Sequence, residues 1–450
     1  MSTQQPIRIV LLGGGYVSVF AYKQLVRQLR REIRSGAVKI DVVCPLQHHI
    51  YHGWTSENLT GTLRLTAQES PLEEVMPLAQ IRQGHAQRID LRERTVWVRV
   101  QGGEVLRLGY DHLVIGTGSV DNDTLEGART YGYQVKCRKA FERARRHLWE
   151  KIACAARQTP EEARQALRFA VAGGGLTGVE LIANLAEYVH MMKQQLPALR
   201  DVSPSFYLIH SGERILPDLQ GKFETLVRYA ERTLRQYGVR IISNKRIRRI
   251  TPQGAVLSDG SLLESSMVIT TIGQRRIAIA GTECLKRDEE GRILLDRQLR
   301  VEGYDEVWGG GDACSAEHPV FGTPCLGNAL WAIKQGEHIG RNLARVVRGK
   351  KPRSFRYPGL GQAASLGLGK GIAEIYRVPF TGTIAWLMRW FFFHYFLWQI
   401  SPRSAQESLK DWFYLFRTGK RVEQANRLFP AGTLDEASEP VAAEAFAANG

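Results

Sequence analysis

Twice in this chain a short apolar run leads into three glycines and out into a helix-like pattern: IRIVLLGGGYVSVFAYKQL near the start, and RFAVAGGGLTGVELIANLAEY from Arg168. A run such as Ile7 to Leu12, apolar but for Arg8, reads as a parallel strand buried on both faces. A glycine turn between such a strand and a helix gathers unpaired backbone N–H groups at the positive end of the helix dipole, which suits a phosphate. Two copies in one chain point to an α/β architecture with two Rossmann-like sheets.

In the first copy Gly13 permits the tight turn and Gly15 lets backbone approach a pyrophosphate, while Ser18 stands where the helix packs on the strand. The next strand-like run, AVKIDVVC, ends at Cys44, where an acidic residue would hold ribose hydroxyls. Another residue or a backbone group is expected to replace that contact. The second copy has all three glycines, Gly173, Gly175 and Gly178, and its second strand, SFYLIH, ends at His210. An acid there would favour NADH; His210 with Arg214 would suit a 2′-phosphate, so NADPH stays open beside NADH, as does a plain surface role for His210. Two nucleotide turns suit an enzyme that keeps one cofactor and admits another, and a flavin with a nicotinamide forms such a pair.

The 450 residues, at ~150 per domain, allow about three domains. Net charge is +16, from 61 Lys and Arg against 45 Asp and Glu, which implies an anionic partner: lipid, nucleic acid or phosphorylated ligand. Basic runs such as RKAFERARRH have the spacing of a solvated helix face, and without a nucleic-acid-binding motif no nucleic-acid partner is expected. Six cysteines (Cys44, Cys137, Cys154, Cys284, Cys314, Cys325) form no CxxC and no metal-ligand spacing, so free thiols in a reducing compartment and no metal are expected. The N-terminus lacks the pattern of a secretory signal, which predicts a chain that is not exported. The cluster His48, His49 and His52 follows directly from the first nucleotide unit.

Further segments, YDHLVIGTGS, MVITTIGQRR and EVWGGGDACS, fall in the order found in two-dinucleotide flavoprotein reductases. From Ile7 to about Arg421 the chain resembles their membrane-associated branch, which includes type II NADH dehydrogenases and sulfide:quinone reductases. EEARQALRFAVAGGGLTGVELIANLAE and FRYPGLGQAASLGLGKGIAEI resemble the former most. The absence of CxxC argues against the disulfide reductases. The resemblance implies bound FAD, with Thr117 and Gly118 at the exit from the FAD domain, Gly273 at the return, and Asp312 on the ribityl chain. It also implies that Glu180, in TGVE, lies near the nicotinamide and handles a proton for the acceptor; a helix-dipole role is the plain alternative.

In that branch the acceptor is a membrane quinone. The family pattern AQxAxQ has Leu330 and Lys334 at its two glutamine positions in TPCLGNALWAIKQGEHIGRNL, and Lys334 is expected to meet flavin or quinone or to be solvated. Cys325 lies where the resemblance brings the chain close to the flavin, and with a lowered pKa it would suit sulfide chemistry. The run TGTIAWLMRWFFFHYFLWQI is apolar and aromatic, but Arg389, His394 and Gln399 interrupt it, which argues for peripheral attachment and against a span. The following Lys410, Arg417, Lys420 and Arg421 suit anionic lipid on the cytoplasmic side of the cell membrane.

The expected organisation is thus a discontinuous FAD domain (residues 1–120 and 263–345), an inserted NAD(P) domain (121–262) and a C-terminal membrane-associated helical region (346–450), with a flexible tail after about 430. A homodimer stays open. The expected reaction is hydride transfer from NADH or NADPH to FAD, then reduction of a quinone. A sulfide:quinone reductase using Cys325 and a low-turnover, membrane-associated flavin redox sensor are the alternatives.

Overall fold

The computed structural model describes residues 5–419; the tail expected after about 430, and Lys420 and Arg421, lie outside the described residues. Two parallel sheets organise it. The first runs in the order Val307–Gly309, His112–Ile115, Ile7–Leu12, Val38–Cys44, Gln80–Asp90, Thr95–Val100, Val105–Gly109. Its first five strands are parallel and the last two fold back antiparallel. Ile9, Val10, Leu11 and Leu12 are wholly buried at its centre, which is why the opening run shows no polar alternation.

The helix Tyr16–Arg34 leaves the first glycine turn and lies against a second helix, Ala329–Val347. The approach is close enough that a Cβ on Gly336 would stand 2.5 Å from the Val17 carbonyl, and one on Gly340 2.3 Å from that of Ala21. Glycine at both positions brings the late helix onto the first nucleotide unit.

The second sheet has the order Val239–Ile242, Ser205–Ile209, Arg168–Ala172, Met267–Thr270, all parallel. The chain therefore stays in this sheet through Thr270, beyond the expected boundary at 262/263, because Met267–Thr270 is hydrogen-bonded beside Arg168–Ala172. A strand as short as MVIT, buried on both faces, carries no signal of which sheet it joins. Between the sheets the chain crosses twice, and the crossings pair antiparallel, Ser119–Asp121 against Gln274–Arg276.

After the Ala329–Val347 helix come a three-stranded antiparallel unit, Gly361–Ser365, Gly371–Ile375 and Val378–Thr381, and two helices, Gly382–Ile400 and Pro402–Thr418. Pro402 opens the last helix, and the Ser401 hydroxyl accepts the Ser404 N–H at 3.2 Å, so the turn between the helices is set locally. Trp386, Leu397, Trp412 and Leu415 join the first sheet's core, and Arg64 fastens the last helix by ion pairs to Asp411 (2.6 Å) and Glu407 (2.8 Å). No helix among the described residues is long and apolar enough to cross a membrane.

Candidate active site

The two glycine turns share one construction and differ at one exchanged pair. Gly13 (φ +95°) and Gly173 (φ +119°) are left-handed, and a Cβ would stand 2.4 Å from the Gly116 carbonyl in the first and 2.7 Å from that of Thr271 in the second. A Cβ on Gly178 would meet the Gly173 carbonyl at 1.9 Å and Thr271 Oγ1 at 2.8 Å. In the first turn the corresponding place holds Ser18, fully buried, and the facing residue is Gly116; a Cβ on Gly116 would stand 2.9 Å from Ser18 Oγ. Serine is accepted at the third position because the opposite strand end has given up its side chain. Gly15 and Gly175 precede the two helices, and neither helix receives a side-chain cap, so no side chain occupies the first-turn N–H groups, the arrangement that suits an anionic group.

Cys44 and His210 also prove equivalent. The Cys44 sulfur lies 3.0 Å from where a Cβ on Gly14 would be, and the His210 ring lies 2.5 Å from the same point on Gly174. Both side chains are buried beneath the middle glycine of their turn. Arg214 does not stand beside His210 as a free phosphate ligand: its guanidinium is bound to Glu224 and, at 2.9 Å, to Glu231. That corrects the expected His210–Arg214 pair.

Thr117 and Gly118 (φ +66°) follow the strand His112–Ile115, and Gly273 (φ +87°) precedes the return strand, so the three mark the double crossing. Beside it Ser119 Oγ donates to Asp312 Oδ2 at 2.8 Å, and Lys136 Nζ reaches the same oxygen at 2.7 Å. Burial pushes the Asp312 carboxyl up, but Lys136 and these hydrogen bonds outweigh it and hold it below its usual range. His49 Nδ1 lies 2.9 Å from the Gly14 carbonyl, and burial lowers His49 to about 4. Burial with the Lys136 charge lowers His52 to about 3. Both rings are therefore neutral near pH 7. Lys136, between the Tyr133 loop and the helix Arg138–Ala155, was silent in the sequence, since one lysine in a basic chain carries no signal.

Glu180, on the helix Leu176–Gln195, belongs to a buried ion cluster. Arg389 bonds Glu57 through two nitrogens, at 2.7 and 3.2 Å, and Glu180 Oε1 through one, at 2.6 Å. Glu180 Oε1 also accepts the Ser365 N–H at 2.8 Å. The arginine lies over the Phe393 and Trp54 rings, 4.4 and 5.2 Å from their centroids. Burial raises the Glu180 carboxyl, Arg389 draws it back and Glu57 lifts it again, leaving it at about 7. Such a carboxyl exchanges a proton near neutrality, a task open to a general acid. The available signal for Arg389 was a lone charge inside an aromatic run, which in a buried helix demands a partner.

Of the residues expected at the acceptor, Leu330 is half-buried at the start of the Ala329–Val347 helix, and Lys334 pairs with Glu337 one turn on, at 3.2 Å. Cys325 is buried, and burial pushes its thiol up to about 12 despite a Gln335 hydrogen bond and nearby Arg292. The condition that sulfide chemistry would need, a lowered pKa, is thus not met, and the thiol is a poor nucleophile. All six cysteines are free.

Two parallel sheets, each opened by an uncapped glycine turn and joined by a double crossing, define the class: a two-nucleotide α/β oxidoreductase. The chain belongs to the pyridine nucleotide-disulphide oxidoreductase family, whose model matches residues 7–336. Relatives include type II NADH:quinone oxidoreductases of Staphylococcus haemolyticus, 24% identical over 85% of this chain and 93% of that protein, and of Staphylococcus aureus, 25% identical over the same shares. Among solved structures, NDH2 from Plasmodium falciparum in complex with NADH superposes with a TM-score of 0.80 at 14% identity, covering 92% of this chain and 99% of that one. The sulfide:quinone oxidoreductase of Aquifex aeolicus reaches 0.66 at 17% identity, covering 88% and 91%. At these identities the two structures establish a shared fold.

Proposed function

We propose that the chain is an FAD-dependent NADH:quinone oxidoreductase of the type II class. The observation that carries this reading is the pair of uncapped glycine turns on separate sheets: one suits a resident nucleotide, the other a visiting one. Bound FAD supplies the two-electron relay between nicotinamide and acceptor. Gly13, Gly15, Ser18 and Cys44, with Asp312, Thr117 and Gly118, are the residues proposed to hold it. A cradle that a Cβ would close, and a carboxylate held charged by Lys136, fit its pyrophosphate and its ribityl hydroxyls. Gly173, Gly175, Gly178 and His210, with Gly273 at the crossing, are proposed for the nicotinamide nucleotide.

NADH is favoured over NADPH. Arg214 is neutralised by Glu224 and Glu231, and Glu213 adds another carboxylate to the loop where a 2′-phosphate would sit. Glu180 is the residue proposed to deliver a proton to the quinone. Leu330, Lys334 and Cys325 line the proposed acceptor side without chemistry of their own, so sulfide oxidation through Cys325 is not favoured.

The C-terminal helices are proposed to lie on the membrane. Ile384, Leu387, Phe391, Tyr395 and Trp398 recur at helical spacing and are 49–62% exposed, and Phe413 and Phe416 extend the patch from the last helix. An exposed aromatic row of this size marks an interaction surface, and Trp and Tyr favour the headgroup level. The net charge of +16 suits anionic lipid, and the cytoplasmic face is the proposed side. Steady-state oxidation of NADH and NADPH with a soluble short-chain quinone tests the reading. NADH is expected to exceed NADPH at least about tenfold in kcat/KM, the ratio that about 1.4 kcal/mol of discrimination gives. Equal use of both would overturn the nucleotide assignment, and no turnover with either would overturn the function.

A further inference from the structure

The buried cluster joins three distant parts of the chain: Glu57 from the short helix Thr55–Leu59, Glu180 from the second nucleotide unit, and Arg389 from the aromatic helix. Two carboxyls and one guanidinium are neutral together only when they hold one extra proton, and a dry site favours neutrality. The arrangement is not symmetric. Arg389 commits two nitrogen–oxygen contacts to Glu57 and one to Glu180, and Ser56 Oγ donates to Glu57 Oε2 at 2.9 Å. Glu180 uses only Oε1 within the protein; its Oε2 makes no hydrogen bond among the described residues. The Glu57 side chain is 3% exposed and that of Glu180 20%, so only the latter has access to solvent or acceptor.

We propose that Glu57 is a positioning residue for proton delivery: by engaging both arms of Arg389 it leaves Glu180 incompletely neutralised, so that Glu180 is the carboxyl that holds and releases the proton. The inference rests on the reading of Glu180 given above. Turnover consumes NADH, one solvent proton and the quinone, and yields NAD⁺ and quinol. The hydride brings two electrons and one of the quinol's protons. The other is released as the Glu180 O–H bond breaks and the quinol O–H bond forms, and solvent then reprotonates the carboxylate.

Other groups facing the cluster do not take over this part. Tyr51, whose hydroxyl donates to the Phe393 carbonyl at 2.8 Å, is pushed well above its usual range by burial and stays neutral. His394, between the Trp390 carbonyl at 2.8 Å and Ser408 Oγ at 3.0 Å, is lowered by burial to about 4 and is also neutral. Asn184 and Ser365, from the other packed elements, carry no charge.

The test is the pH profile of NADH:quinone turnover in the full-length, FAD-loaded protein, for the parent, Glu57→Gln, Glu57→Asp, Glu180→Gln and the double variant Glu57→Gln/Arg389→Met. In Glu57→Gln, Arg389 faces Glu180 alone, and the inflection is expected to fall by about one pH unit or more. Glu57→Asp is expected to return it towards the parent value. In the double variant Glu180 loses its cation, so the inflection is expected above that of the parent; this variant also removes the buried arginine that, left with Glu180 alone, threatens folding of the single one. Loss of the inflection in Glu180→Gln together with parent-like inflections in Glu57→Gln and the double variant would overturn the role of Glu57 alone. An inflection that persists in Glu180→Gln would overturn the reading of Glu180 itself.

Discussion

Ser18 and Gly178 occupy the same place in two turns, and substitution is expected to treat them differently. Gly178→Ala drives a methyl group into the Gly173 carbonyl and Thr271, so it is expected to cost about 3 kcal/mol or more and to abolish flavin reduction by NADH. Ser18→Gly costs about 1 kcal/mol, the penalty of glycine in a helix, and leaves that reduction intact. Melting temperature and anaerobic bleaching check both. Cys325→Ser is expected to leave NADH turnover with quinone near the parent rate, since its thiol is pushed up to about 12; sulfide-dependent quinone reduction that Cys325→Ser abolishes would restore the sulfur chemistry set aside here. The glycines were legible because their spacing is dictated by backbone geometry. The exchange of Ser18 with Gly116, the burial of Cys44 and His210, and the Glu57–Arg389–Glu180 cluster were not. Each depends on partners 30 to over 300 positions away, and no local pattern records such a partner.

Among the elements, the helix Gly382–Ile400 has two faces of opposite kind. Arg389 and His394 turn inward to the ion cluster and to Ser408, while Phe391 and Trp398 are 61% and 49% exposed. Two of the polar interruptions that argue against a span, Arg389 and His394, thus form the inward face, and the exposed aromatic residues lie on the other. Phe391→Glu with Trp398→Glu is expected to leave the melting temperature within about 2 °C of the parent, because both side chains are already largely in water. Sedimentation with vesicles containing anionic lipid is expected to fall tenfold or more, since burial of each ring in the interface contributes on the order of 1.5–3 kcal/mol. Unchanged sedimentation would remove the helix from the membrane contact. The aromatic composition was legible in the sequence; which side faced outward was not, because a helix apolar nearly all round carries no periodic signal of orientation.

For the whole molecule, the order of nucleotide unit, insertion and return was readable because each sheet announces itself with its own glycine turn, whereas the end of the insertion depended on strand pairing. The structure also sets the acid response. His49, His338 and His394 are lowered by burial to about 4 and His52 to about 3, from an ordinary 6.5. Below pH 6.5 the unfolded chain takes protons that the folded chain refuses, so stability falls as pH drops from about 6.5 towards 4, by up to about 3 kcal/mol per imidazole. Glu180 acts in the opposite sense. Raised from 4.5 to about 7, it binds its proton more tightly in the fold, and its contribution declines as pH rises across that window. Four imidazoles outweigh one carboxyl, so the melting temperature is expected to rise with pH between about 4.5 and 6.5. The gain of Glu180→Gln over the parent should grow as pH rises from 4.5 to 7, and a difference independent of pH would contradict the raised carboxyl.

The most direct test of hydride transfer between the two nucleotide units is an anaerobic titration of the FAD-loaded protein with NADH, followed by a soluble quinone, watching the oxidised flavin absorbance. One equivalent of NADH is expected to bleach the flavin, and one equivalent of quinone to restore it. A flavin that stays oxidised under NADH would show that the second glycine turn does not serve hydride transfer, and a bleached flavin that quinone fails to restore would show that the acceptor is something else.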